Sequence, residues 1–142
     1  MVFLSLVPLT ANTAEQLPLK AFTSDGCSDF PDGTPAQKDL WLDCCLQHDF
    51  AYWLGGTAAE RQAADAELQR CVAAVGQAEI AALMLAGVRV GGSPFWPTRY
   101  RWGYGWPYWN GLLPRGYRAL TEEERAQAHA SLSPEQARAL LP

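Results

Sequence analysis

A chain of 142 residues is one domain by length, long enough to bury a single core and too short for two. Its composition, 49% hydrophobic and 18% charged with a net charge of −4, is that of an ordinary globular protein, and the acidic excess argues against a nucleic-acid partner. The charge is unevenly spread: six aspartates stand against one lysine, Lys38, between Asp25 and Asp49, and five arginines with no acid lie between Ile80 and Leu120. An acidic site and a basic surface are therefore expected on one molecule.

Residues 1–23 read as an N-terminal arm or the remnant of an export signal. Val2–Leu9 is apolar and Ala11–Ala14 is rich in small residues. The stretch is short, holds Pro8 and has no basic segment ahead of it, so its support for export is weak. Ser24 to Gly33 is turn chemistry throughout, with Asp-Gly, Pro-Asp-Gly and two serines. A first helix is predicted from Ala36 to Leu54, stopped by Gly55-Gly56. Thr57-Ala-Ala-Glu60 is a capping box that opens a second helix running to about Gly87, with Gly76 as the place for a bend. A connection this short makes the two helices an antiparallel hairpin.

The four cysteines, 27, 44, 45 and 71, allow three pairings, of which the adjacent pair 44–45 is sterically poor. Folding the helical hairpin about its Gly-Gly-Thr turn sets Cys44 level with Cys71 and His48 level with Asp65. That favours bridges 44–71 and, by elimination, 27–45. Disulfides persist in exported proteins, so a secreted or periplasmic setting is expected.

Ile80–Val90 is apolar but far short of the ~20 residues a membrane span needs, and reads as the buried end of the long helix. From Gly91 to Tyr117 proline, glycine, arginine and nine aromatic residues break any period, which predicts an irregular wrap with a short hairpin. The aromatics either cap a small helical core or, with the arginines, sit at a lipid headgroup layer; Trp96, Trp102, Trp106 and Trp109 are the candidates for such an interface. The tail carries a second capping box, Thr121 to Glu124, and a Ser133-Pro134 helix start. The expected fold is a mostly helical single domain built on a disulfide-linked antiparallel helix pair, with a core at 24–90 and a wrap and helical tail at 91–142.

Chemistry concentrates in Asp43 to Trp53. Side chains four apart share a helix row, so Cys44 lies one turn from His48 and Cys45 one turn from Asp49. The two bridges would then bring Asp65 beside His48 and the 24–33 loop beside Asp49. The plainer alternatives are a core histidine satisfied by Asp65, a surface acid at Asp49, an exposed helix acid at Asp65, and a zinc site at the cysteines and His48, which adjacent cysteines make awkward to close. His129 reads as solvated, and Asp29 and Asp32 as turn formers.

Cys44-Cys-Leu-Gln-His48-Asp49-Phe-Ala-Tyr52 resembles the C-C-x-x-H-D-x-x-Y helix of secretory phospholipase A2. Ser24-Asp-Gly-Cys-Ser28 followed by Pro31-Asp32 is similar to the calcium loop of its prokaryotic and fungal members, and Asp65 keeps that family's spacing to Cys71. The resemblance covers residues 24 to 72. It implies Ca2+ held by Asp49, Asp25 and the carbonyl of Gly26, with those of Ser28 and Phe30 as further ligands. It implies His48 as general base, Asp65 as its orienting carboxylate and Tyr52 as a hydrogen-bond partner of Asp65. The implied reaction is hydrolysis of the sn-2 acyl ester of glycerophospholipids at a membrane or micelle surface. A catalytically silent relative that binds lipid or a protein through the aromatic segment is the second expectation, and a zinc-stabilised interaction module the third. The chain departs from the family's pattern in its calcium loop, which is less glycine-dense, in having few disulfides, and in lacking a β-hairpin between the two helices.

Overall fold

The computed structural model describes residues 17–142, so Val2–Leu9 and most of the arm lie outside the described residues. The chain is mostly helical: α1 Leu42–Leu54, α2 Ala58–Val75, α3 Ala78–Gly91, a two-stranded antiparallel sheet of β1 Trp109–Asn110 and β2 Leu113–Pro114, then α4 Glu122–Ser131 and α5 Pro134–Leu140. Three of the expected helix starts form with capping boxes, at Thr57, Thr121 and Ser133. Each supplies side-chain oxygens that accept from two backbone N–H groups a helix start would otherwise leave bare.

Two helix boundaries differ from expectation. α1 begins at Leu42 rather than Ala36 because the preceding backbone is engaged elsewhere: Trp41 donates its N–H to Asp32 O and its indole Nε1 to Pro31 O, folding 32–41 into turns. The long second helix is two helices. A Cβ at Gly76 would stand 2.8 Å from the Trp41 ring, and there the backbone leaves the helical path. α3 folds back on α2, so that Arg61 reaches the carbonyls of Val88 and Arg89, and Arg89 reaches Asp65. The expected buried end of a long helix is therefore a half-buried one: Ala81 and Met84 are enclosed, whereas Leu83 and Val90 face outward.

Both cystines form, Cys27–Cys45 and Cys44–Cys71, and no cysteine is free, which removes the zinc reading. Two disulfides suit an extracellular or periplasmic protein. Among the described residues no helix is long and apolar enough to cross a membrane.

α1 carries apolar side chains on two faces and so divides the core in two. One side, with Trp41, Cys44 and Cys45, packs on Leu68 and Val72 of α2 and Ala81 and Met84 of α3. The other, with Phe50 and Trp53, packs on Phe22 of the arm and on Ala128, Leu132 and Leu140 of the tail. The arm is bound in at residues 20–22, where Lys20 O accepts from the Trp53 indole and Phe22 meets Phe50 and Trp53 edge-on.

The aromatic segment is buried in part and exposed in part. Trp102 and Trp106 are not surface residues: they are 2% and 1% exposed. Their indole N–H groups donate to Gly56 O and Leu54 O, at 2.9 and 2.8 Å. The backbone between them donates from Gly103 to Tyr52 O and from Gly105 to Trp53 O. The last carbonyls of a helix lack partners within it, and this stretch satisfies those of α1 while covering them with indole rings. It approaches closely enough that a Cβ at Gly55, whose φ is +70°, would lie 2.8 Å from the Gly103 Cα. Phe95, Trp96, Tyr100 and Trp109 remain exposed, as do Leu112 and Leu113 at the hairpin tip.

Candidate functional site

The Cys44–Cys71 bridge ties α1 to α2 one turn before His48 and sets the ring against Asp65. Asp65 is wholly buried. Its Oδ1 accepts from His48 Nε2 at 2.9 Å and from the Tyr52 hydroxyl at 2.7 Å. A carboxylate that accepts at Nε2 fixes the proton there, which leaves the lone pair on Nδ1. That nitrogen makes no hydrogen bond to any described residue, and the ring lines a cavity. Burial pushes the Tyr52 phenol well above its ordinary range, so Tyr52 acts here as a neutral donor.

Two arginines complete the surroundings of Asp65. Arg89 donates from Nε to Oδ2 at 2.8 Å. Arg61, one turn before Asp65 on α2, is buried and donates to the Tyr52 and Tyr117 hydroxyls and to two carbonyls at the end of α3. Neither is singled out by the sequence. Pairing residues about Gly76 would have found Arg89, since 65 and 89 lie nearly equidistant from it.

The second bridge, Cys27–Cys45, pins the 24–33 loop beside Asp49. Gly26 has φ +71° and Asp32 closes over it, accepting from the Cys27 N–H at 2.9 Å. The Ser24 hydroxyl donates to Asp49 Oδ2 at 2.6 Å, and that of Ser28 to Asp25 Oδ1 at 2.9 Å. Tyr104 of the wrap donates to Thr23 O and to Asp49 O, holding the loop entrance against α1. Burial pushes the Asp49 carboxyl up to about 6, opposed by the Ser24 hydroxyl and His48 and reinforced by the neighbouring Asp25. Among the described residues this poorly solvated carboxyl makes no ion pair, and a second acid, Asp25, adds to its charge. Among the described residues no three His, Cys, Asp or Glu side chains converge as in an all-side-chain metal centre. The donors present are oxygens from two carboxyls and a tightly turned backbone, the donor type calcium prefers.

His48, Asp49, Asp25, Gly26, Ser28 and Phe30 all line one cavity of about 540 Å3. Its apolar wall comes from Phe30, Leu68, Met84, Gly87 and Val88, and Lys20, Arg99 and Tyr100 also line it. Every predicted loop and helix residue thus borders one space, together with Tyr52; Asp65 lies behind the ring. Of the four tryptophans expected at an interface, Trp96 and Trp109 are exposed and Trp102 and Trp106 belong to the core. Comparison with protein-family models, curated proteins and solved structures finds no match. The functional reading therefore stands on the site itself.

Proposed function

We propose that the chain is a calcium-dependent phospholipase of the A2 type, cleaving the sn-2 acyl ester of glycerophospholipids. The observation that carries this reading is one cavity bordered by an imidazole backed by a buried carboxylate and, one residue on, by a poorly solvated carboxyl next to a second acid. Asp49, Asp25 and the carbonyl of Gly26 would hold the calcium, with the carbonyls of Ser28 and Phe30 as further candidates. The chemistry a bound ion would supply there is polarisation of the ester carbonyl and compensation of the charge that develops on its oxygen.

The chain's own groups account for the proton movements. His48 Nδ1 takes a proton from water as the water oxygen attacks the carbonyl carbon. Asp65 keeps the ring in the tautomer that leaves Nδ1 free, and its charge favours the imidazolium that forms. As the bond from carbonyl carbon to glycerol oxygen breaks, the imidazolium returns its proton to that oxygen, giving a fatty acid and a lysophospholipid. The apolar wall from Phe30 to Val88 suits an acyl chain. The exposed Trp96 and Trp109, with arginines and no acid along their segment, suit contact with a lipid surface.

Fatty-acid release from phospholipid vesicles, with calcium or with excess EGTA, tests the reading. Wild-type protein is expected to hydrolyse only with calcium, and His48→Gln not at all. Release that persists in EGTA or in the variant would refute it. The exposed Phe95, Trp96, Tyr100 and Trp109 favour a second reading, a silent lipid-binding relative. That reading requires vesicle binding unaffected by His48→Gln and no fatty acid from either protein.

A further inference from the structure

We propose that Arg89 is a positioning residue for His48, acting through Asp65; the inference rests on His48 being the base of the proposed reaction. Asp65 has two carboxylate oxygens, and each is engaged from a different helix. Oδ1 receives His48 and Tyr52 from α1, and Oδ2 receives Arg89 Nε from α3 at 2.8 Å. A carboxylate bound through one oxygen turns about its Cβ–Cγ bond. Bound through both, it presents Oδ1 to the imidazole in a single orientation, and groups behind an orienting residue often govern function in this way.

Arg61 does not replace that contact. Its Nε stands 3.9 Å from Oδ2 and donates instead to the Tyr52 hydroxyl, and its remaining nitrogens are taken by Tyr117 and the carbonyls of Val88 and Arg89. Arg89 is anchored a second time, through Nη2 to Gln62 O. Its side chain is 44% exposed, whereas that of Arg61 is enclosed, so shortening Arg89 opens no hole in the core. The orientation of the His48 ring on α1 thus depends on how α3 is seated against α2.

Arg89→Met removes the donors and keeps the apolar stem; Arg89→Lys restores a single charged donor. On phospholipid vesicles with saturating calcium, Arg89→Met is expected to lower kcat about 10–100-fold. KM and the calcium concentration for half-maximal rate should not change, and Arg89→Lys should recover part of the loss. Histidine-selective nitrogen-15 NMR follows the ring without turnover. The wild-type protein should give a slowly exchanging Nε2–H signal, assigned by its absence in His48→Gln, that disappears in Arg89→Met and returns in Arg89→Lys. A signal that survives in Arg89→Met overturns the proposal, whatever happens to turnover or melting temperature. Should the wild-type chain release no fatty acid, the hydrolase reading fails and the ring signal alone decides whether Arg89 orients His48.

Discussion

Asp49 is the residue at which burial and charge conflict most openly. Its carboxyl ionises near pH 6 in the folded chain and near 3.8 once unfolded. A folded value above the unfolded one means that its contribution to stability is complete below about pH 4 and is lost as the pH rises through 6. A shift of that size corresponds to about 3 kcal/mol at most, and partial solvent access reduces it to about 1–2 kcal/mol. Asp49→Asn keeps an oxygen to accept from Ser24 and removes the charge. In calcium-free buffer at pH 7.5 it should melt a few degrees above wild type, and at pH 4 the two should coincide. Calcium should raise the wild-type melting temperature and leave the variant's unchanged. Equal melting temperatures at pH 7.5 without calcium would mean that the carboxyl is better solvated than its surroundings indicate. His48, Asp49 and Asp65 were legible because helical row spacing and two cysteine ties restrict where they can go. Arg61 and Arg89 were not, because an arginine on a helix is by default solvated, and only the reversal at Gly76 brings Arg89 to Asp65 and the end of α3 to Arg61.

Elements were legible from sequence where their signals are local. A capping box is a four-residue arrangement, and both expected ones formed, while the Ser133 start proved to be a third. The wrap was less legible because its order comes from α1 rather than from itself: residues 102–106 are held by carbonyls at the end of that helix. Tryptophan composition does not say which indoles will meet such carbonyls and which will face lipid. The division predicts opposite effects for one residue type. Trp106→Phe should destabilise the fold by about 1–3 kcal/mol, since Leu54 O stays buried without its donor. Trp109→Ala should leave the melting temperature within error and weaken binding to anionic vesicles, followed by co-sedimentation. The reverse pattern would mean that the buried and exposed tryptophans are wrongly assigned. Gly92, after α3, offers a sharper test, because a Cβ there would stand 2.6 Å from the Tyr52 hydroxyl and ring edge. Tyr52 is buried and bonded to both Asp65 and Arg61, so the ring has little room to yield. Gly92→Ala should therefore cost about 1–3 kcal/mol in chemical denaturation and lower hydrolysis as well. A variant as stable and active as wild type would show that the α3–wrap junction is looser than drawn.

Across the whole molecule, the two cystines serve different halves of the site, and their removal should separate stability from calcium dependence. Closing loops of 18 and 27 residues, each bridge is worth about 3 kcal/mol by chain entropy, so on that ground alone their losses should be nearly equal. Their surroundings differ. Cys44–Cys71 joins α1 to α2 within the core that holds Leu68 and Val72, where two helices already pack and Asp65 has four side chains around it. Cys27–Cys45 fastens a turn-rich loop that packs on the core through Phe30 and whose hydrogen bonds to the body are few among the described residues: Ser24 to Asp49, Tyr104 to Thr23 O, and Trp41 to Pro31 and Asp32. Paired Cys→Ser variants should thus lose similar stability by chemical denaturation. In the 27/45 variant the calcium needed for half-maximal hydrolysis should rise at least tenfold. In the 44/71 variant that requirement should stay near the wild-type value while kcat falls, because Asp65 is then less firmly seated against His48. Titration of hydrolysis against calcium, run well below the melting temperature of each variant, separates the two effects. Equal calcium requirements in both variants would mean that the loop holds its shape without its cystine, and that the bridge beside Asp49 contributes stability alone.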